Sequence, residues 1–319
     1  MPSAPTRPPW PPTSTSTGSP RASGDSSRAN QRPSLNTGKA SLPHPLGADL
    51  AVFPETWLGG YPGWVFGLAA WNDAEARHWF QRLTMASDTA DGDHMRALRQ
   101  AAATHGINVV IGFNERSRPH SATLYNSAAT ISSDGDLLGV HRKLLPTHTE
   151  RLVWTPGDAH GLRAYDTSAG RVGSLVCWEH WRPIARHALH HSDEQIHVAL
   201  WPDMPEAHRL ASRSYAFEGR CFVVSAATWL PVTAVPEEVR EAYACGVGTD
   251  ADSEAFFPGG SGIVGPDGEW RTEPVLGPAM VLAAIDLADT VAYKHDLDVT
   301  GHYDQPDLLQ WSVQEARIR

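Results

Sequence analysis

Cysteine is scarce in this chain: Cys177, Cys221 and Cys245 stand far apart and are odd in number. That scarcity excludes a disulfide framework and points to free thiols in a reducing compartment, the cytoplasm. Long apolar runs are also lacking. No stretch reaches the roughly eighteen consecutive apolar residues a membrane-spanning helix needs, and no positively charged start leads into an apolar signal segment. Neither export nor a membrane partner is expected. Positive charge is in deficit, and a formal net charge of −10 argues against a nucleic-acid partner.

Residues 1–46 are poor in acid, with Asp25 alone, and in apolar runs, and rich in Pro, Ser, Thr and Arg. Such composition predicts disorder. Its Arg- and Ser-rich character is that of a transit peptide, but prolines at positions 2, 5, 8, 9, 11 and 12 break the amphipathic helix that targeting would need. The character changes at Gly47, and residues 47–319 read as a single domain, a length that α/β enzymes often use as one unit.

Within that domain, short apolar, β-branched runs alternate with segments of helical spacing, the signature of an α/β fold. Strands are expected at 50–53, 107–113, 123–131, 137–142, 172–177, 197–201, 222–226, 261–264 and 280–285. Helices are expected at 73–83, 93–105, 181–191 and 206–219. Turn residues at 132–136 and 266–268 predict two hairpins, so the sheet should be mixed. No internal repeat and no heptad pattern is present.

Three residue types capable of joint chemistry each follow an apolar strand. Gly173-Ser174-Leu175-Val176 delivers Cys177 to a strand end, and Pro183 then opens a helix whose positive N-terminus should favour the thiolate, lowering the cysteine pKa towards neutrality. Ala51-Val52-Phe53-Pro54 ends in Glu55 among Trp57, Tyr61 and Trp64, apolar surroundings that raise a carboxyl pKa into the range of a general base. Leu138-Gly139-Val140-His141-Arg142 ends in Lys143. Taken singly these are a buried structural cysteine, a strand-end carboxylate and a solvated lysine; together they suggest a site beyond the strand ends.

The segments Phe53-Pro54-Glu55-Thr56-Trp57-Leu58-Gly59-Gly60-Tyr61-Pro62, His141-Arg142-Lys143-Leu144-Leu145-Pro146-Thr147 and Cys177-Trp178-Glu179-His180 resemble, in order, the signature segments of the nitrilases. Gly112 to Arg116, Leu124 to Asn126, Glu150 to Trp154 and Gly301 to Tyr303 extend the resemblance over about Gly47 to Pro306. It implies an α-β-β-α sandwich with a Glu55, Lys143, Cys177 catalytic set, a supporting role for Glu150, and assembly into a homodimer or a larger spiral homo-oligomer. It also implies hydrolysis of a small nitrile. Glu55 would take the thiol proton, Cys177 would attack the nitrile carbon, and Lys143 with the backbone N–H of Trp178 would stabilise the charge on nitrogen. Water would then release ammonia and finally the carboxylic acid.

Nitrilases begin with a short apolar strand and a long helix that residues 1–46 do not supply. A wrong start site or a reading-frame change is the expectation for that segment, and its cost would be an unpaired strand edge beside the strand bearing Glu55. Two other functions compete: an amidase, carbamoylase or cyanide-converting enzyme with the same catalytic set, and an inactive self-assembling scaffold. Trp57, Tyr61, Trp154 and Trp201 are candidate pocket walls. His187, His190 and His191 lack a paired metal pattern and read as a solvated helix face, so neither a metal nor a cofactor is inferred.

Overall fold

The computed structural model describes residues 47–249, 253–314 and 317. The expectations for residues 1–46 lie outside these. In chain order the elements are β1 (Leu50–Leu58), α1 (Ala74–Ala86), α2 (Asp93–His105), β2 (Asn108–Arg116), β3 (Leu124–Ile131), β4 (Leu137–Arg142), β5 (Tyr165–Thr167), β6 (Gly170–Val176) and α3 (Pro183–His190). They continue as β7 (Ile196–Trp201), α4 (Glu206–Gly219), β8 (Phe222–Ala227), β9 (Trp229–Pro231), α5 (Arg240–Val247), β10 (Ala255–Val264), β11 (Trp270–Leu276) and α6 (Ala288–Tyr293).

One sheet runs β1-β2-β3-β4 and the other β11-β10-β8-β7-β6-β5, with β9 paired to β10. Parallel pairs (β1 with β2, β6 with β7, β7 with β8) coexist with antiparallel hairpins, so both sheets are mixed. The hairpins close where turn chemistry predicts: Gly135 and Gly268 take φ of 85° and 79°, a region glycine enters without strain.

Strand alternation assigns the layers. From β2, Val110 joins Val172, Val176, Val198 and Leu200 between the sheets, whereas Val109, Ile111 and Phe113 pack with Met95 and Ala102 of α2. On the far side, Ala185 and Leu189 of α3 and Ala211, Tyr215 and Ala216 of α4 cover β6 and β7. The order is α-β-β-α. Helix α2 stops at Gly106, φ 63°, the left-handed C-cap that the sequence offers there.

Two expectations are corrected. Residues 280–285 form no strand: they run along the exterior beyond β11 and gain no ladder. The helix expected at 181–191 starts at Pro183, because the residue before proline is held extended (Arg182, φ −98°, ψ 101°). Cys177–Trp181 form instead a separate 3₁₀ turn. The short strands β5 and β9 and the helices α5 and α6 had not been anticipated, whereas β11 is the return strand that the 266–268 turn implied. β1 has one sheet neighbour, β2, among the described residues.

Candidate active site

Glu55, Lys143 and Cys177 leave three different strands and meet between the two sheets. Glu55 sits within β1, where Gly112 of β2 lets the backbones approach: a Cβ at that position would lie 2.3 Å from Pro54 O and 2.6 Å from Thr56 N. Lys143 directly follows β4. Cys177 follows β6 with φ 57°, a strained left-handed conformation that turns its side chain out of the strand direction.

Lys143 Nζ donates to Glu55 Oε1 at 3.1 Å and to Glu150 Oε2 at 2.8 Å, with all three side chains buried. Glu150, carried on the 3₁₀ turn His148–Leu152, also accepts from Tyr61 OH at 2.7 Å and from the Thr147 backbone N–H at 2.6 Å. Asn126 Nδ2 donates to Glu55 Oε1 at 2.6 Å, while Glu55 Oε2 has no hydrogen-bond partner among the described residues.

Burial pushes the Glu55 carboxyl up and Lys143 pulls it back, leaving it at about 7. Burial works against the Lys143 ammonium, but Cys177 once ionised, and the Glu150 and Glu55 carboxylates, outweigh it and raise the amine well above the usual lysine range. The thiol behaves differently from expectation. Burial, reinforced by the Glu55 carboxylate, pushes Cys177 well above the usual thiol range, despite Lys143 and a hydrogen bond from the Trp178 backbone N–H. The helix-terminus effect inferred from sequence is overturned because the thiol is only 4% exposed and heads a 3₁₀ turn rather than an α-helix. At rest the cluster therefore holds a neutral thiol beside a carboxyl poised near neutrality.

Glu179 was singled out in the sequence only through the motif Cys177-Trp178-Glu179. Its Oε1 accepts from Leu144 N at 2.7 Å and its Oε2 from Val176 N at 2.8 Å, with His141 Nε2 2.9 Å away. One buried carboxylate thus joins the residue after Lys143 to the residue before Cys177. Asn126 and Asn114 likewise entered only through the segments Leu124 to Asn126 and Gly112 to Arg116, with no role read for either. Asn114 donates to Gly60 O at 2.8 Å and accepts from Trp154 Nε1 at 2.9 Å, fixing the segment after β1. A buried amide in an apolar strand was the available signal.

Beside Glu55 opens a cavity of about 460 Å³. Trp57 and Tyr61 line it, joined by Trp64, Trp79, Trp229, Tyr243 and Phe257, with Arg82 of α1 at its wall. Trp154 and Trp201 are not pocket walls. Trp154 is buried beside Tyr61 with Lys143 Nζ 6.0 Å from its ring, and Trp201 stacks 4.5 Å from His180, whose Nδ1 lies 2.6 Å from the Cys177 carbonyl oxygen. Both indoles went to core because they face inward from fully covered positions.

Residues 35–295 match the family model "Carbon-nitrogen hydrolase", a match that opens inside the segment read as foreign. The chain is 34% identical over 286 residues to an aliphatic nitrilase of Rhodococcus rhodochrous, covering 84% of this chain and 70% of that one. It is 34% identical over 293 residues to an arylacetonitrilase of Aspergillus kawachii, covering 86% and 83%. Among solved structures, Nit3 of Saccharomyces cerevisiae, a member of branch 10 of the nitrilase superfamily, shares the fold with a TM-score of 0.61 at 17% identity over 81% of this chain and 84% of that one.

Proposed function

The chain belongs to the carbon-nitrogen hydrolase family, with nitrilases among its relatives, and we propose that it hydrolyses a nitrile carrying an aryl group to the carboxylic acid and ammonia. The observation that carries the reading is the buried Glu55-Lys143-Glu150 array beside Cys177, with Glu55 on the wall of an aromatic cavity.

Glu55 Oε2, free of protein partners among the described residues, takes the Cys177 proton as the sulfur attacks the nitrile carbon. The C≡N triple bond becomes the C=N of a thioimidate. Lys143 supplies positive charge where the nitrogen becomes negative, and the Trp178 N–H, already directed at the sulfur, is the second donor. A preorganised donor of this kind is typically worth about 10²- to 10³-fold in rate. Glu55, now protonated, gives its proton to that nitrogen. Water activated by Glu55 adds to the thioimidate carbon, ammonia leaves with the nitrogen, and a second water cleaves the thioester to acid and free thiol. Glu150 keeps Lys143 charged and in place.

The cavity supports the substrate class. Its volume lies within the ordinary range for small-molecule sites, about 300–1,000 Å³, and its walls offer indole and phenol faces that favour a flat apolar ring over a short alkyl group. A neutral nitrile also meets no unpaired charge of its own. Ammonia release from phenylacetonitrile, a short aliphatic nitrile and phenylacetamide tests the reading: the aryl nitrile should be turned over fastest. Preference for the amide would move the assignment to an amidase.

Three free thiols, two of them buried, support a reducing compartment, for which we propose the cytoplasm. Among the described residues no helix is long and apolar enough to cross a membrane. A homo-oligomer is supported by the exposed apolar side chains of Trp181, Ile184, Leu210 and Phe217 on and beside α3 and α4.

A further inference from the structure

On sequence alone His187, His190 and His191 read as one solvated helix face. Folding gives them different surroundings. His190 turns inward, buried, with Nδ1 3.2 Å from Glu194 Oε1. His187 and His191, one turn apart at the end of α3, are half covered by Trp311 of the C-terminal stretch, whose ring centroid lies 5.0 Å from each imidazole. The same stretch brings Asp304 to them. One donor atom from each of His187, His191 and Asp304 lies within 4.8 Å of the others.

We propose that these three side chains bind a divalent transition ion of the zinc type and so fasten residues 298–314 to α3. The first support is His191 Nε2. It is shielded from solvent and makes no hydrogen bond among the described residues, yet lies 3.5 Å from Asp304 Oδ2. That separation is long for a hydrogen bond, whereas neighbouring ligands of a tetrahedral ion stand roughly 3.4 Å apart when metal–ligand bonds are about 2.1 Å.

The second support is the donor set. Two imidazoles and one carboxylate suit zinc, nickel or cobalt rather than magnesium or calcium, which take oxygen ligands. Two donors one turn apart on a helix are already fixed relative to each other, so binding has to order only Asp304. Spacing could not reveal the site, because its third ligand arrives more than a hundred residues later in the chain. Three protein ligands leave the fourth position to water. None of the three lines the cavity, so the ion acts on the fold and not on the nitrile.

The test titrates Zn²⁺ alone into the full-length chain, freed of metal by a chelator, and follows heat of binding, melting temperature and hydrogen exchange. One equivalent should bind saturably, raise the melting temperature and slow exchange in residues 298–314. His191→Ala and Asp304→Asn should each weaken binding at least about tenfold, the loss that removing even an outer partner causes at metal sites. Asp304→Asn is nearly isosteric, so the pair stays informative if His191→Ala folds poorly. No saturable binding, or binding that both variants retain as cysteine thiols elsewhere would produce, overturns the proposal.

Discussion

Lys143 Nζ stands 3.1 Å from Glu55 Oε1, both side chains buried, and leaves Oε2 of the same carboxylate without a hydrogen-bond partner among the described residues. One oxygen is committed to holding the cation and the other is available to a proton. Because burial outweighs Lys143 and brings the Glu55 carboxyl to about 7, the base is half ionised near neutrality. It must be ionised to take the thiol proton. Ammonia release should therefore rise with pH through about 7 and level off above it, and Glu55→Gln should lose about 10²- to 10⁴-fold in kcat, the usual reach of a positioned base.

Stability should move the other way. A carboxyl whose pKa is raised by folding prefers its protonated form in the folded state, so its contribution is present at low pH and is lost as pH rises from 4.5 to about 7. Glu55→Gln removes that titration. Melting temperature measured across this range should fall less with rising pH in the variant than in the parent chain.

Glu150 offers acceptors to Lys143 Nζ, Tyr61 OH and the Thr147 N–H together. Glu150→Gln keeps the shape but withdraws one of the two anions facing Lys143 and puts an amide N–H against donors. About 1–3 kcal/mol of stability should be lost. Since Glu150 does not line the cavity, kcat should fall tenfold or more, on the order of 1.4 kcal/mol in the barrier, with KM nearly unchanged. Steady-state kinetics and chemical denaturation check the pair of outcomes.

Glu179 joins the Lys143 and Cys177 strand ends through Leu144 N and Val176 N. Burial would raise its carboxyl, but His141 and those two N–H groups hold it below the usual carboxylate range. A depressed pKa contributes stability above the ordinary carboxyl range that is lost as pH falls through the folded value. Glu179→Gln should cost about 1–3 kcal/mol at neutral pH and less at low pH. A drop in kcat larger than any change in KM would mark it as a positioning residue.

Gly112 is where β2 passes against the backbone around Glu55. Its Cβ in an alanine variant would meet Pro54 O at 2.3 Å and Glu55 Cα at 2.8 Å, atoms of a strand that can retreat only by moving Glu55. Gly112→Ala should cost about 1–3 kcal/mol or more through overpacking and lower ammonia release even where the chain still folds.

Much of this architecture was legible because local signals agreed. Helix α2 begins at Asp93 and ends at His105 as expected, with Gly106 as its stop, and β4 occupies the expected Leu137–Arg142. Glu55, Lys143 and Cys177 could be singled out because each follows an apolar run and falls in a segment that resembles a nitrilase signature. Their mutual distances could not be read, since convergence depends on how two sheets pack. The Cys177 thiol was misjudged for the same reason: a local argument from the helix terminus cannot count the burial supplied by distant strands. Residues 280–285 show the converse failure, an apolar run with strand spacing that finds no partner. Trp79 and Tyr243 reach the cavity from separate segments that carry no common spacing, so only folding brings them to Trp57 and Tyr61.

The central claim is that Cys177 carries the nitrile carbon as a covalent intermediate. Mass spectrometry of the chain quenched during turnover of phenylacetonitrile, alongside ammonia release by the parent and Cys177→Ala, tests it most directly. The account requires an acyl adduct on the peptide containing Cys177 and no ammonia from Cys177→Ala. Steady ammonia release by Cys177→Ala, or an adduct found instead on Cys221 or Cys245, would contradict it.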